Sequence, residues 1–245
     1  MREIIISMTS YPARIKYVAK VWFSIVRQAV DKSLYKCVLV LSEEEFPGGM
    51  ADLPDDLQVL IANGVIELLW TPRNTRSHKK LMPTLRKYPN NPILVIDDDQ
   101  YRTMGWLQNF IDFHNKYPKD VLTGISHFIL VNGRFCSRKL GPGLYDNARP
   151  ANGRGGTLYP PNTFNDPDFF DEGLYMKLSP TSDESWQFYF MKKHKIPVRI
   201  IPYESDKHLV IDEAQKMKTA LWNVNNFGGY NLIWKNLNKF FGTCL

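Results

Sequence analysis

Short, uninterrupted runs of apolar and β-branched residues recur along the first hundred residues, and they limit the fold more than any other feature of the sequence. Runs that do not alternate with polar residues are typical of strands covered on both faces, as in parallel sheets. Between the first two runs, the stretch Ile15–Val30 places its apolar residues on one side of a helix. This alternation of strand and helix predicts an α/β fold with a mostly parallel sheet. We expect the runs to form strands over Ile4–Met8, Cys37–Leu41, Val65–Trp70 and Ile93–Ile96.

The second half of the chain continues the pattern less regularly. A segment from Gly141 to Asp171, rich in Gly, Pro, Asn and aromatic residues, is predicted to be irregular. No internal repeat or linker divides the 245 residues, so we expect a single domain over 1–245. Further strands are predicted over Val121–Ile125, Phe128–Val131 and Val198–Ile201, and helices over Leu57–Ala62, Ser77–Tyr88, Trp106–Lys116 and Ser185–His194.

Composition and charge narrow the classes of partner. Hydrophobic residues make up 44% of the chain, which is ordinary for a globular enzyme. The formal net charge of +6 favours anionic ligands such as phosphates or acidic lipid headgroups. Because the basic residues are spread along the chain and no zinc-finger or RNA-recognition signature occurs, we expect no nucleic-acid partner.

Cysteine usage and hydropathy suggest the compartment. Cys37, Cys136 and Cys244 are odd in number and widely spaced, so neither a disulfide framework nor a zinc site is indicated, and we expect a reducing compartment. The N-terminus has no secretory cleavage pattern, and no stretch approaches the ~20 apolar residues of a spanning helix. We therefore expect a protein that is soluble or attached to a membrane surface.

An acidic cluster, Asp97-Asp98-Asp99, follows the strand Ile93–Ile96 directly. In open α/β sheets, ligands bind beyond the carboxyl ends of the strands. Three adjacent carboxylates repel one another unless a cation compensates them, and Mg²⁺ or Mn²⁺ takes one or two carboxylates together with substrate phosphates. In an extended segment Asp97 and Asp99 share a side and Asp98 points away, so Asp97 and Asp99 are the predicted metal ligands. The alternative is a solvated turn.

Several segments, in their order along the chain, together form a recognisable pattern. They are Thr9–Arg14, Lys79–Leu81 with Pro83 and Leu85, Lys87–Pro89, Ile93–Asp99, Gly155–Pro161 and Ser182–Trp186. In this order they resemble bacterial polysaccharide and lipooligosaccharide glycosyltransferases of the GT-A fold, which is a Rossmann-like α/β fold. The resemblance implies that the Asp triplet is the family's DxD motif, that residues 1–100 form a nucleotide-binding half and 101–218 an acceptor and catalytic half, and that 219–245 is a tail.

The resemblance also implies which residues bind the donor. The loop after the first strand would receive the nucleotide through Thr9, Ser10, Tyr11 and Arg14, with Arg14 on a phosphate. The alternative is a capping loop with Arg14 in solvent. One of Lys79 and Lys80 would contact the donor and the other would face solvent, although both could lie on a solvated helix face. Asp97 and Asp98 are also expected to contact the donor.

On the acceptor side, Gly155 and Gly156 would let the backbone approach the sugar, or they form a surface turn. Asp183 or Glu184 would take the proton from the acceptor hydroxyl, whereas Asp183 could instead cap the following helix. His208 is a further candidate metal ligand, with a surface histidine as the other interpretation.

The function expected from these features is transfer of a hexose from a nucleotide sugar, a UDP-sugar first, to a cell-surface glycan or lipid-linked glycan, with inversion and with Mn²⁺ or Mg²⁺. We expect a cytoplasmic enzyme. The basic, aromatic tail could lie on the inner face of the plasma membrane or pack as a helix. The alternatives are a phosphoryl- or nucleotidyl-transfer enzyme using the same acids and a non-catalytic carbohydrate-binding protein.

Overall fold

The computed structural model describes residues 2–138, 140–153, 155–202, 209–215 and 225–243. Its strands, in chain order, are β1 (Ile4–Thr9), β2 (Tyr35–Ser42), β3 (Glu67–Thr71), β4 (Ile93–Ile96), β5 (Gln100–Tyr101), β6 (Val121–Thr123), β7 (Phe128–Val131), β8 (Arg134–Ser137), β9 (Gly143–Tyr145), β10 (Ala148–Arg149), β11 (Thr157–Tyr159), β12 (Val198–Ile200) and β13 (Leu209–Val210).

The helices are α1 (Ile15–Val26), α2 (Asp55–Ala62), α3 (Met82–Lys87), α4 (Trp106–Lys116), α5 (Glu172–Leu178), α6 (Asp183–Lys193), α7 (Asp212–Gln215) and α8 (Tyr230–Phe241). Single 3₁₀ turns lie at Lys32–Leu34, Gly49–Asp52, Arg76–Lys80 and Pro167–Phe170, and a π-helical turn at Asn225–Gly229 precedes α8.

Within the described residues, an eight-stranded sheet has the order β3-β2-β1-β4-β11-β6-β12-β9. The strands β1 to β4 run parallel, with Ile6 beside Cys37 on one side and Leu94 on the other. Strand β11 lies antiparallel between β4 and β6, where Leu158 pairs with Leu94 and Leu122. The predicted α/β class with a mostly parallel sheet is confirmed. Two small sheets, β10-β7-β8 and β13-β5, lie beside it.

Helices cover both faces of the sheet, which explains why the central strand β4 is apolar at every position and why β1 and β2 are mostly apolar. Ile4 and Ile6 of β1 pack on one face with α1, α2 and α4, whereas Ile5 packs on the other with α3, α5, α6 and α8. The second face is aromatic; for example, Trp186 of α6 lies 4.9 Å from Phe190 between ring centres. The two cores hold strand β4 in place, and the acidic cluster follows the C-terminal end of that strand.

The tail packs as a helix over its described part. Tyr230, Ile233, Trp234 and Leu237 of α8 are buried in the second core, and residues 219–224 and 244–245 lie outside the described residues. Among the residues the structure describes, none belongs to a helix long and apolar enough to cross a membrane.

Several predicted boundaries are corrected. The first helix ends at Val26, and the predicted helix Ser77–Tyr88 is a 3₁₀ turn followed by α3, in whose first turn Pro83 stands, as suits a residue without a backbone N–H. The segment Gly141–Asp171 is not wholly irregular, because it contains β9, β10 and β11. Strand β11 has only three residues, too few for a readable period.

Candidate functional site

The acidic cluster stands where the carboxyl ends of two parallel strands meet. Strand β4 ends at Ile96 and leads into Asp97-Asp98-Asp99, while its neighbour β1 ends at Thr9 and leads into the loop before α1. The segment after the cluster forms β5, which pairs with β13. The C-terminal ends of these two strands therefore bring the cluster and the loop Ser10–Arg14 together, as the sequence predicts.

Arg14 binds two of the three carboxylates. Its Nη1 lies 3.0 Å from Asp98 Oδ1 and 2.9 Å from Asp99 Oδ2, and Ser10 Oγ donates to Asp98 Oδ2 at 2.6 Å. The prediction that Asp98 points away from Asp99 is wrong, because the chain turns here instead of remaining extended. Arg14 is not in solvent either, since its side chain is 12% exposed and Nη2 donates to Ala214 O.

Lys80 binds the third carboxylate. Its Nζ lies 2.6 Å from Asp97 Oδ1 and 3.4 Å from Asp183 Oδ2, so one buried cation joins the acidic cluster to the acid pair. The expectation that either Lys79 or Lys80 faces solvent is wrong. Lys79 is also buried and pairs with Glu45, because the 3₁₀ turn points both ammonium groups inward.

Burial and charge set the protonation of these acids. Burial opposes ionisation of Asp97, but Lys80, Arg14 and Arg102 more than offset it and lower its pKa. Burial and the charges of Asp97 and Asp98 raise the pKa of Asp99 to about 7. Burial also raises the pKa of Asp98. Arg14 and Arg102 thus do not offset the burial of Asp99 and its repulsion by the neighbouring carboxylates.

Asp97 is the most accessible member of the cluster. Its side chain is 35% exposed, against 6% for Asp98 and for Asp99. Gly153 lies directly against it, because a Cβ on Gly153 would lie 2.0 Å from Asp97 Oδ2. A glycine at this position lets the Asp97 carboxylate keep its place, because any side chain would displace it.

The acid pair begins α6 and faces the same region. Ser182 is the N-cap, since its side chain accepts from Ser185 N at 3.1 Å, so the alternative that Asp183 caps this helix is wrong. Asp183 Oδ2 accepts from Asn152 Nδ2 at 3.0 Å. Glu184 pairs with Arg149, and burial raises its pKa.

Sequence reasoning missed a polar network behind the acid pair. Tyr159 OH lies within hydrogen-bond distance of two amide oxygens, Asn152 Oδ1 at 3.0 Å and Gln187 Oε1 at 2.7 Å. Together with Arg149, these side chains hold the acids from one side. Tyr159 lies within a motif that the sequence already singles out, but no local pattern marks Asn152, Arg149 or Gln187.

The predicted glycines pack against protein. A Cβ on Gly155 would lie 2.7 Å from Ile125 N, and Gly156 has φ +81° with Trp106 beside it. Both allow β11 to approach its neighbours closely. Contact with a sugar stays a prediction for these two residues, and Gly153 is the glycine that faces the acidic cluster.

The remaining predicted residues lie at the rim of the site or beyond the described ranges. Thr9 Oγ1 donates to Val40 O at 2.7 Å, and the Tyr11 ring lies 5.7 Å from the Arg14 guanidinium carbon. His208 lies outside the described residues.

A divalent cation fits this site if a ligand completes its coordination. In the described part of the chain, no group of three or more His, Cys, Asp or Glu side chains is arranged to hold a metal ion alone. The Asp97 side chain is 35% exposed, and burial together with the neighbouring carboxylates raises the pKa of Asp99, so the cluster nevertheless suits Mg²⁺ or Mn²⁺, which need only one or two carboxylates when phosphates supply further oxygens.

Comparison with known proteins identifies the fold. No protein-family model and no curated protein matches the chain. The solved structure of S. aureus TarS 1-349 in complex with UDP superimposes with a TM-score of 0.55 at 18% identity, covering 82% of this chain and 60% of that one. The chain thus spans less than two thirds of that structure.

Two other glycosyltransferase structures are similar over the same share of this chain, 82%. GalNAc-T7 with UDP, GalNAc and Mn²⁺ has a TM-score of 0.52 at 10% identity, with 43% of its chain covered. The mannosyltransferase PcManGT from Pyrobaculum calidifontis, in complex with GDP-Man and Mn²⁺, has a TM-score of 0.50 at 11% identity, with 55% covered. At such identities the likeness establishes the fold, and the expected GT-A arrangement is confirmed.

Proposed function

We propose that this chain transfers a hexose from a nucleotide sugar, with a UDP-sugar as the first candidate, to a glycan acceptor. The observation that carries the proposal is the acidic cluster Asp97–Asp99 at the carboxyl end of β4, with Arg14 and Lys80 bound to it. Similar structures of this fold contain UDP or GDP-Man, and two contain Mn²⁺. Ligands of open α/β sheets bind at this edge.

The nucleotide would lie on the loop after β1. Ser10 and Arg14 contact Asp98, and the Tyr11 ring lies beside Arg14, so this loop places a hydroxyl, a guanidinium and an aromatic ring next to the cluster. Of the two lysines, Lys80 is the one that would contact the donor. Lys79 is instead held by Glu45, while Lys80 lies between Asp97 and Asp183, where negative charge would develop on the departing diphosphate.

Asp97 and Asp99 would hold a divalent cation together with the donor's phosphates. When bound, the cation supplies positive charge to the diphosphate as it leaves. Asp97 offers a partly exposed carboxylate, and Gly153 lets that carboxylate keep its place. Lys80 and Arg14 compensate the acids in part before a ligand arrives.

The acceptor hydroxyl would approach the first turn of α6. Asp183 and Glu184 are the carboxylates there, and one of them would take the hydroxyl proton as general base, which favours inversion. We propose a cell-surface glycan or lipid-linked glycan as the acceptor and the cytoplasmic side of the membrane as the location. The exposed Leu232 and Phe240 on α8 suit contact with a membrane surface.

A thermal-shift screen of nucleotides and nucleotide sugars, with and without MnCl₂, tests the proposal. A ligand at 100 times its Kd adds about 2.7 kcal/mol of stability, or about 5–10 °C in Tm for a chain of this size. We expect UDP or a UDP-sugar to give such a shift with Mn²⁺ and a smaller one in chelator. Cleavage of phosphomonoesters without nucleotide binding, or glycan binding that persists in chelator, would contradict the proposal.

Two matched variants test whether the Mn²⁺-dependent shift in Tm requires Asp97. Asp97→Asn should remove the dependence of the shift on Mn²⁺, because it removes the accessible carboxylate charge. Asp112→Asn changes an exposed acid on α4 in the same way and should leave the shift unchanged. Equal shifts in the two variants would remove the role assigned to Asp97.

A further inference from the structure

A buried arginine, Arg149, lies behind the acid pair in a cage of aromatic rings. It is 3% exposed, and its guanidinium carbon lies 4.2 Å from the centre of the Tyr230 ring, 4.9 Å from Phe128 and 5.6 Å from Phe135. The rings come from α8, β7 and β8. A buried charge is costly unless it is paired, and the paired carboxylate is Glu184. Three elements thus combine to hold one cation against one acid.

Both oxygens of Glu184 are engaged. Oε2 pairs with Arg149, and Oε1 accepts from the backbone N–H of Asn152 at 2.8 Å. Glu184 stands in the first turn of α6, whereas Arg149 and Asn152 belong to the segment that follows β9. Glu184 therefore fastens the segment Arg149–Gly153 to the start of α6.

This segment forms one wall of the acidic site. Asn152 Nδ2 donates to Asp183 Oδ2 at 3.0 Å and to Gln187 Oε1 at 2.8 Å. Gly153 abuts Asp97 Oδ2, and its carbonyl accepts from Arg102 Nη2 at 2.9 Å. A shift of this wall would move the surroundings of both Asp97 and Asp183.

We propose that Arg149 is a positioning residue that acts through Glu184 to hold Asn152 and Gly153 against Asp183 and Asp97. Glu184 is then an anchor, and Asp183 is the member of the acid pair that takes the acceptor proton. This inference rests on the proposed function. The other charged groups near Glu184 are Asp183, Lys80 and Asp97, and burial together with these acids raises its pKa, which Arg149 opposes.

A double-mutant cycle with Arg149→Met and Glu184→Gln tests the coupling. The measurement is calorimetric titration of UDP in MnCl₂, with Tm recorded for each variant. Each single variant should weaken UDP binding about tenfold, and the double variant should weaken it no further, because coupled residues are non-additive. Arg149→Lys should restore part of the loss since it keeps the charge. Arg134→Met, at an exposed arginine on β8, is the matched control and should bind like wild type.

Release of UDP from a UDP-hexose, with water as the acceptor of the sugar, distinguishes the anchor from the base. Asp183→Asn should lower kcat about 100-fold or more, whereas Glu184→Gln and Arg149→Met should act mainly on KM. A loss of kcat in Glu184→Gln equal to that in Asp183→Asn, or additive effects in the cycle, would overturn this inference while leaving the proposed function in place. Wild-type protein that binds no UDP would overturn both.

Discussion

Replacement of Gly153 by alanine tests whether the position of Asp97 matters. A Cβ there would lie 2.0 Å from Asp97 Oδ2, whereas Cβ atoms come no closer than about 3.0 Å to other atoms, so the carboxylate must move by at least about 1 Å. Lys80 holds the same carboxylate at 2.6 Å, so the movement breaks or stretches that hydrogen bond. A misplacement of 1 Å in an active site can cost about 100-fold in rate.

The expected result is therefore a kcat/KM for nucleotide release that falls about 100-fold, with a Tm within about 2 °C of wild type. The backbone itself accommodates alanine, because φ of Gly153 is not positive. Gly141→Ala is the control, since nothing lies within 4 Å of its added Cβ. Wild-type rates in the Gly153 variant would refute the reasoning that Asp97 must keep its place.

Three further predictions concern the frame of the site. Lys79→Met leaves the carboxylate of Glu45 without its buried partner, so the free energy of unfolding in denaturant should fall by about 3 kcal/mol; a fall below about 1 kcal/mol would contradict this. Burial lowers the pKa of His78 in the folded protein. The free energy of unfolding is therefore highest above the unfolded pKa of about 6.5, where the ring is neutral in both states. It falls as pH drops below that value, by up to about 1.4 kcal/mol per pH unit, because the unfolded chain binds the proton more tightly. In His78→Gln, the free energy of unfolding measured between pH 5 and 8 should depend less on pH than in wild type. An equal dependence on pH in the two proteins would contradict this prediction. Gly155→Ala places a Cβ 2.7 Å from Ile125 N, where backbone cannot yield, so a loss of about 2–3 kcal/mol is expected and an unchanged Tm would contradict it.

Much of the sheet could be predicted from the sequence because burial on both faces leaves a continuous apolar run. The bounds predicted for β4 and α4 match the structure, and β1 and β2 differ only at their ends. Strand β11 escaped prediction, since its place between β4 and β6 is decided by partners far away in the chain.

The place of the acidic cluster was predictable, but its contacts were not. A cluster that follows a buried strand must stand at the carboxyl edge of the sheet, where Asp97 and Asp99 lie. The contact of Lys80 with Asp183 joins residues far apart in the chain, and no spacing in the sequence encodes it. The turn at Asp98 reverses the side chain that an extended segment would present, so the predicted orientation failed there.

Crystals grown or soaked with UDP and MnCl₂ test the central claim most directly, because anomalous scattering locates manganese without assumption. The account predicts a manganese peak bonded to Asp97 or Asp99 and to the diphosphate of UDP, with the nucleotide beside Ser10 and Arg14. An empty sheet edge, or UDP bound at another surface while Asp97 remains on Lys80, would contradict it.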